Sequence, residues 1–178
     1  MTKKNDFVWK LIQTICWLIF AGYCIQTGAL LFNYVYSLFK PIATNNLHLG
    51  LNLSELYSQS MLLYTLTFIL IIAVSGLKAY VFYIILSLFK VLNLFKPFSK
   101  EVSEKISSTT YFTFLVGIIS FTSIELIKKL TTHQYNFGVA ARYFEDNGTF
   151  LVMSAILFSI SLIFKRGIEL QSENDLTV

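Results

Sequence analysis

Lys78 is the residue most able to do chemistry in this chain, because it stands alone inside a long apolar run from Met61 to Phe89. A charge held in hydrocarbon costs on the order of 3 kcal/mol on insertion scales, so it implies either a partner, a route to headgroups, or a ligand or proton role. The other reactive side chains are sparse. Cys16 and Cys24 lie eight positions apart in an apolar stretch, a spacing that puts them near one helix face, and it reads as packing rather than redox or metal chemistry. His48 and His133 fall in two polar loops with Glu55, Glu145 and Asp146, without any spacing that marks a zinc site. Glu125 is followed by Lys128 and Lys129 at i+3 and i+4, which accounts for it by local pairing. There is no phosphate-binding glycine loop, no His-Glu-x-x-His and no Gly-x-Ser-x-Gly. The expectation is a chain that is not an enzyme and has no cofactor, metal or catalytic residue.

The elements that carry these residues follow from composition. Of the 178 residues, 55% are hydrophobic and only 13% charged, against about 25% charged in an average soluble domain. Such a chain cannot cover a soluble core with polar surface, and it is too apolar to be disordered. A hydrocarbon core of about 30 Å needs about 20 residues of helix. Four stretches qualify, residues 11–32, 61–89, 111–127 and 149–164, the last two short enough to need flanking lysines that snorkel. The first is longer than the apolar core of a cleaved signal, so cleavage is not expected. The fold expected is therefore a single all-α membrane domain, residues 1–178, of four antiparallel transmembrane helices.

Basic residues set the orientation. Nine Lys and Arg residues lie on the side of the two termini and the middle connector, and four lie in the other two loops. The positive-inside rule then places both termini in the cytoplasm and the protein in the cytoplasmic membrane, with the bilayer as its first partner. The net charge of +4 sits at the margins of apolar runs, without the dense basic face that direct nucleic-acid binding requires.

The loops carry finer signals. Leu47, Leu49, Leu51 and Leu53 alternate with polar or small residues, which fits either a short strand or, slightly preferred, an irregular loop on the surface. Ser54 and Glu55 suit a helix start ahead of Met61. In the connector, Pro97 stops the second helix and Ser99 caps another, with Glu101 in its first turn. Phe98, Val102 and Ile106 form one apolar line opposite Lys100, Glu101, Glu104 and Lys105, which predicts a short amphipathic cytoplasmic connector helix. Residues 165–178 form a tail holding Glu169, Glu173 and Asp175, and after Gly167 no base.

Two of these stretches resemble a bacterial membrane family catalogued as domain of unknown function 2975. Lys96-Pro97-Phe98-Ser99-Lys100-Glu101 is similar to its Pro-Phe-Ser/Thr pattern between the second and third spans, with a lysine where a small or polar residue often precedes the proline. The terminal Glu173-Asn174-Asp175-Leu176-Thr177-Val178 is similar to the string that ends many of its members. The four-span order also fits. The resemblance implies no enzymatic activity. It implies a small Xre/Cro-type helix-turn-helix regulator as a partner on the cytoplasmic side, because such genes often lie beside the family's own.

The reading is thus a membrane tether or sensor whose partner-binding residues are Pro97, Phe98, Glu169, Glu173, Asn174, Asp175, Leu176 and Val178. A tail of acids and apolar residues suits docking on a basic partner or capture of its free carboxylate. The alternatives are a small transporter or channel-like carrier built on Lys78, and an immunity or envelope-stress protein acting through the outer loops. A homo-oligomer is compatible with all three.

Overall fold

The computed structural model describes residues 3–92, 97–130 and 138–175. Its elements are α1 (Lys3–Phe39), two 3-10 turns (Pro41–Asn45 and His48–Gly50), α2 (Ser54–Gln59), α3 (Met61–Val91), α4 (Lys100–Leu130), α5 (Gly138–Ala141) and α6 (Asn147–Asp175). Among the described residues there is no strand. Four helices (α1, α3, α4 and α6) are long and apolar enough to cross a membrane, and the chain is an all-α, multi-pass membrane protein. They pack antiparallel in the order α1–α3–α4–α6, with α3 central against α1 and α4. The start of α1, the end of α3, the start of α4 and the end of α6 share one end, called here the terminal end; the other is the loop end.

Local chemistry explains the boundaries. The alternating leucines do not form a strand. Leu49 and Gly50 take positive φ of 55° and 74°, so the chain reverses there, and the Leu47 amide donates to the Leu51 carbonyl at 2.8 Å. The Leu53 amide donates back to Thr44 at 2.9 Å. Leu47, Leu51 and Leu53 are thereby buried while Leu49 stays 73% exposed. The period of two served a compact plug rather than a sheet.

Ser54 does begin a helix, but a separate one. Asn52 Oδ1 accepts from the Ser54 amide and hydroxyl at 3.0 and 2.7 Å. Ser60 is extended and then starts α3, accepting from the Leu63 amide at 3.5 Å. At the terminal end Ser99 Oγ accepts from the Val102 amide at 3.3 Å, as its capping role requires. The connector's amphipathic residues then form the first turns of α4 instead of a helix of their own. No glycine or proline lies between Ser99 and Tyr111, so nothing stops the helix before it enters the span. α6 also runs on past Lys165 and Arg166, through Gly167, to Asp175.

The face that α4 buries repeats at alternating steps of four and three: Val102, Ile106, Thr109, Thr113, Val116, Ser120, Ser123 and Ile127. That is the seam of a helix packed nearly parallel to its neighbours. Half of it is hydroxylated, and Thr109 and Thr113 satisfy themselves by donating to the carbonyls four residues back, at 2.8 and 2.6 Å. Small side chains let membrane helices approach closely. At Gly117 a methyl group would lie 2.7 Å from Leu151 Cγ, so α4 and α6 touch backbone to side chain there.

The apolar core is concentrated towards the loop end. Leu30 of α1, Leu47, Leu51 and Leu53 of the plug, Leu56 of α2, and Tyr64, Phe68 and Ile71 of α3 pack in one cluster that also takes in Tyr143 and Phe144. Tyr64 hydrogen-bonds Ser37 of α1 and meets Tyr57 edge-on at 5.2 Å between centroids. Both loop segments thus descend into the bundle rather than lying across it.

Candidate functional site

Lys78 occupies the middle of α3, about 26 Å along the helix from Met61 at 1.5 Å per residue. Its side chain leans towards the helix N-terminus, as helical side chains do, and therefore towards the loop end. There it is only 4% exposed. Nζ donates to the Tyr143 carbonyl at 3.1 Å and to Asp146 Oδ2 at 2.9 Å. The rings of Phe150 and Tyr23 lie 5.5 and 6.0 Å away, close enough for cation–π attraction.

Asp146 arrives by way of α5 and the turn that follows. The Phe144 amide donates to Ala141 at 2.8 Å and the Asn147 amide to Phe144 at 3.2 Å, a tight descent that buries the Phe144 ring. Asp146 directly precedes α6, whose N-terminal dipole also favours a carboxylate. Its side chain is 50% exposed, so the pair has one buried and one accessible member. The Tyr143 hydroxyl donates to the His48 carbonyl at 3.1 Å, which joins the plug to the same segment. Burial pushes the Tyr143 phenol above its ordinary pKa, so it remains a donor across the working pH range.

The arrangement is an electrostatic clamp. One buried cation holds the segment before α6 against α3, and a tyrosine holds that segment to the plug. Lys78 is neither snorkelled to the terminal-end interface nor paired with Glu125, which instead meets Lys128 at 3.4 Å. Asp146 and the Tyr143 carbonyl are the functional groups that sequence reading missed. The one available hint was that a lysine so deep in a span needs a carboxylate, and Asp146 stands at the start of another span.

The remaining candidates are scattered. Cys24 is exposed on α1 and Cys16 half-buried, both as free thiols, so Cys24 is not a packing residue. No group of three His, Cys, Asp or Glu gathers among the described residues. His133, Leu176 and Val178 lie outside the described residues. Pro97 and Phe98 lie at the start of α4, and Phe98 is partly spent on structure. Its ring meets Phe164 at 5.3 Å, and a methyl group at Gly167 would lie 2.5 Å from it. Glu169 pairs with Arg166 at 2.7 Å on the exposed face of α6, and Glu173 is exposed two residues before the end of that helix. Asn174 and Asp175 complete α6. The structure brings Phe98 against α6 but leaves Glu169 and Glu173 exposed on a later stretch of that helix.

Gly167→Ala is expected to displace the Phe98 ring and destabilise the terminal end by about 1–3 kcal/mol, the usual range for overpacking. Phe98→Ala in the same chain should recover most of that loss in detergent thermal unfolding. If the double variant is no more stable than Gly167→Ala alone, the two residues do not meet as described.

Comparison with family models, characterised proteins and solved structures finds no match for this chain.

Proposed function

We propose that this membrane protein is a non-enzymatic tether or sensor of the cytoplasmic membrane, with both termini inside, that engages a small helix-turn-helix regulator at its terminal end. The observation that carries this reading is the Lys78–Asp146 pair. It joins α3, which leads into the connector, to the turn immediately before α6, the helix that carries the acidic tail. A change at the loop end that loosens the pair is thereby delivered to the surface where the tail emerges. The charge count of nine against four supports the orientation. The likeness of Pro97-Phe98-Ser99 and of the terminal string to the family described above supports the choice of partner.

Two measurements test this. Reporter fusions after Asn46, Lys100, Asn147 and Val178 should report outside, inside, outside and inside; an outside signal at Val178 would overturn the orientation. Deleting Ile168 to Val178 should leave all four spans inserted, since Lys165 and Arg166 remain as the anchor of α6. Co-purification of the helix-turn-helix regulator should be lost with the deletion. Reversing the charges of Glu169, Glu173 and Asp175 should weaken it in a salt-sensitive manner, because exposed charges are screened over about 10 Å at 0.1 M salt. Equal recovery with and without the tail would remove it as the docking element.

A carrier built on Lys78 is the second reading, favoured by one observation: the clamp lies within the span and its acid is half exposed. A carrier that uses the lysine loses its activity in Lys78→Met, whereas a sensor keeps its partner and loses only its response.

A further inference from the structure

We propose that the cleft between α4 and α6 binds an anionic phospholipid, with its phosphate on Lys165 and one acyl chain along the cleft. The cleft holds about 570 Å³. Its walls are Tyr111 and Phe114 of α4 and Leu151, Ala155 and Phe158 of α6, and the three aromatic rings are exposed to the surroundings of the bundle. Its polar groups collect at one end. Ser107 and Ser161 hydrogen-bond each other at 2.8 Å, and Lys165 follows one turn beyond Ser161. Two hydroxyls have two protons, and their mutual bond uses one. The other is available to an acceptor that reaches the pair, although Ser161 itself is only 4% exposed.

Lys165 is the cation left for that acceptor. Its neighbour Arg166 is paired with Glu169 at 2.7 Å, while Lys165 is exposed and forms no ion pair among the described residues. It also ends the apolar run of α6, at the level where headgroups meet hydrocarbon. From Leu151 to Lys165 the helix rises about 21 Å, more than the ~15 Å of one hydrocarbon leaflet taken as half of a 30 Å core. A cation and hydroxyls at one end, with an apolar trough beyond, match an anionic lipid in both charge and length. A second copy of this chain is a poorer occupant. The long exposed apolar face of α1 has no carboxylate between Phe7 and Phe39 with which to meet Lys165.

Native mass spectrometry of the full-length protein released from detergent tests the assignment, with phosphatidylglycerol and phosphatidylcholine of identical acyl chains as the probes. Phosphatidylglycerol should be retained in preference to phosphatidylcholine. Lys165→Gln should lower its retention about fivefold, the effect of one basic residue at a membrane surface, while Arg166→Gln leaves it unchanged. Ala155→Phe, which fills the trough, should reduce retention of both lipids while circular dichroism shows an intact helical fold. If Ala155→Phe fails to fold, Phe114→Ala and Phe158→Ala should reduce chain-dependent retention instead. Equal retention of the two lipids, indifference to Lys165→Gln, displacement of the lipid by inorganic phosphate alone, or dimers that these substitutions dissociate would each overturn the proposal.

Discussion

Asp146→Asn is expected to destabilise the folded protein by about 3 kcal/mol, at the low end for breaking a buried ion pair because the carboxylate is half exposed. The substitution removes the countercharge, so the buried Lys78 ammonium faces only neutral acceptors, the Tyr143 carbonyl and the new amide oxygen. Neutral dipoles do not offset the desolvation of a full charge. Lys78→Met should behave differently. It removes the buried charge and leaves Asp146 with water on one side and the N-terminus of α6 on the other, so the loss should be about 1 kcal/mol or less. The double variant Lys78→Met/Asp146→Asn should therefore be more stable than Asp146→Asn alone. Thermal or denaturant unfolding in one detergent provides all four corners of that cycle. Equal losses from the two single substitutions would mean that Lys78 is not held as described. Because a methionine in an apolar helix does not obstruct insertion, Lys78→Met and Lys78→Leu should both reach the membrane at ordinary abundance.

The second large effect is expected at Gly117. A β-carbon there would stand 2.7 Å from both Cγ and Cδ2 of Leu151 and 3.2 Å from the Leu151 amide nitrogen. The leucine side chain can turn aside, but the backbone nitrogen can do so only if the helices separate. Gly117→Ala should cost about 1–3 kcal/mol, and Gly117→Leu more, since overpacking of a filled contact is relieved only by backbone movement. The damage should be local to α6, which packs chiefly on α4. Leu151→Ala should offset part of the Gly117→Ala loss by vacating Cγ and Cδ2, but none of the loss from the backbone contact. Protease susceptibility of the α4–α6 connection, compared with that of the α1–α3 loop, distinguishes a local parting of α6 from general unfolding. Parallel changes at both places would contradict the close crossing at Gly117.

Much of the architecture was legible in the residues because its cause is local. A run of apolar residues long enough to cross a bilayer marks a helix whatever its neighbours do, and Ser99 caps α4 with the amide of Val102 as its position implies. The Glu125–Lys128 pair is likewise a matter of three positions along one helix. What was not legible depends on contact between distant segments. Leu47, Leu51 and Leu53 alternate as a strand would, yet the left-handed turn at Leu49 and Gly50 folds them into the core. That outcome is set by the space between α1 and α3, which no period in the sequence records. Asp146 lies 68 positions from Lys78, and its carboxylate reads as one more loop acid until the segment before α6 is seen to descend. Continuity was misjudged for a simpler reason: the amphipathic connector residues suggested a helix of their own, but without a breaker α4 runs through them.

The coupling of the two ends through the clamp is measured most directly by the distance between spin labels at Lys90 of α3 and Gln171 of α6, with Cys16 and Cys24 replaced by serine. Both label positions are exposed at the terminal end, far from the substitution that is varied. With the clamp intact, pulsed dipolar spectroscopy should give one narrow distance distribution. In Asp146→Asn it should shift or broaden by several ångströms, and Lys78→Met/Asp146→Asn should move it back towards the original. Superimposable distributions in all three chains, each shown to be folded, would mean that the clamp holds the loop end alone and transmits nothing to the surface where the tail emerges.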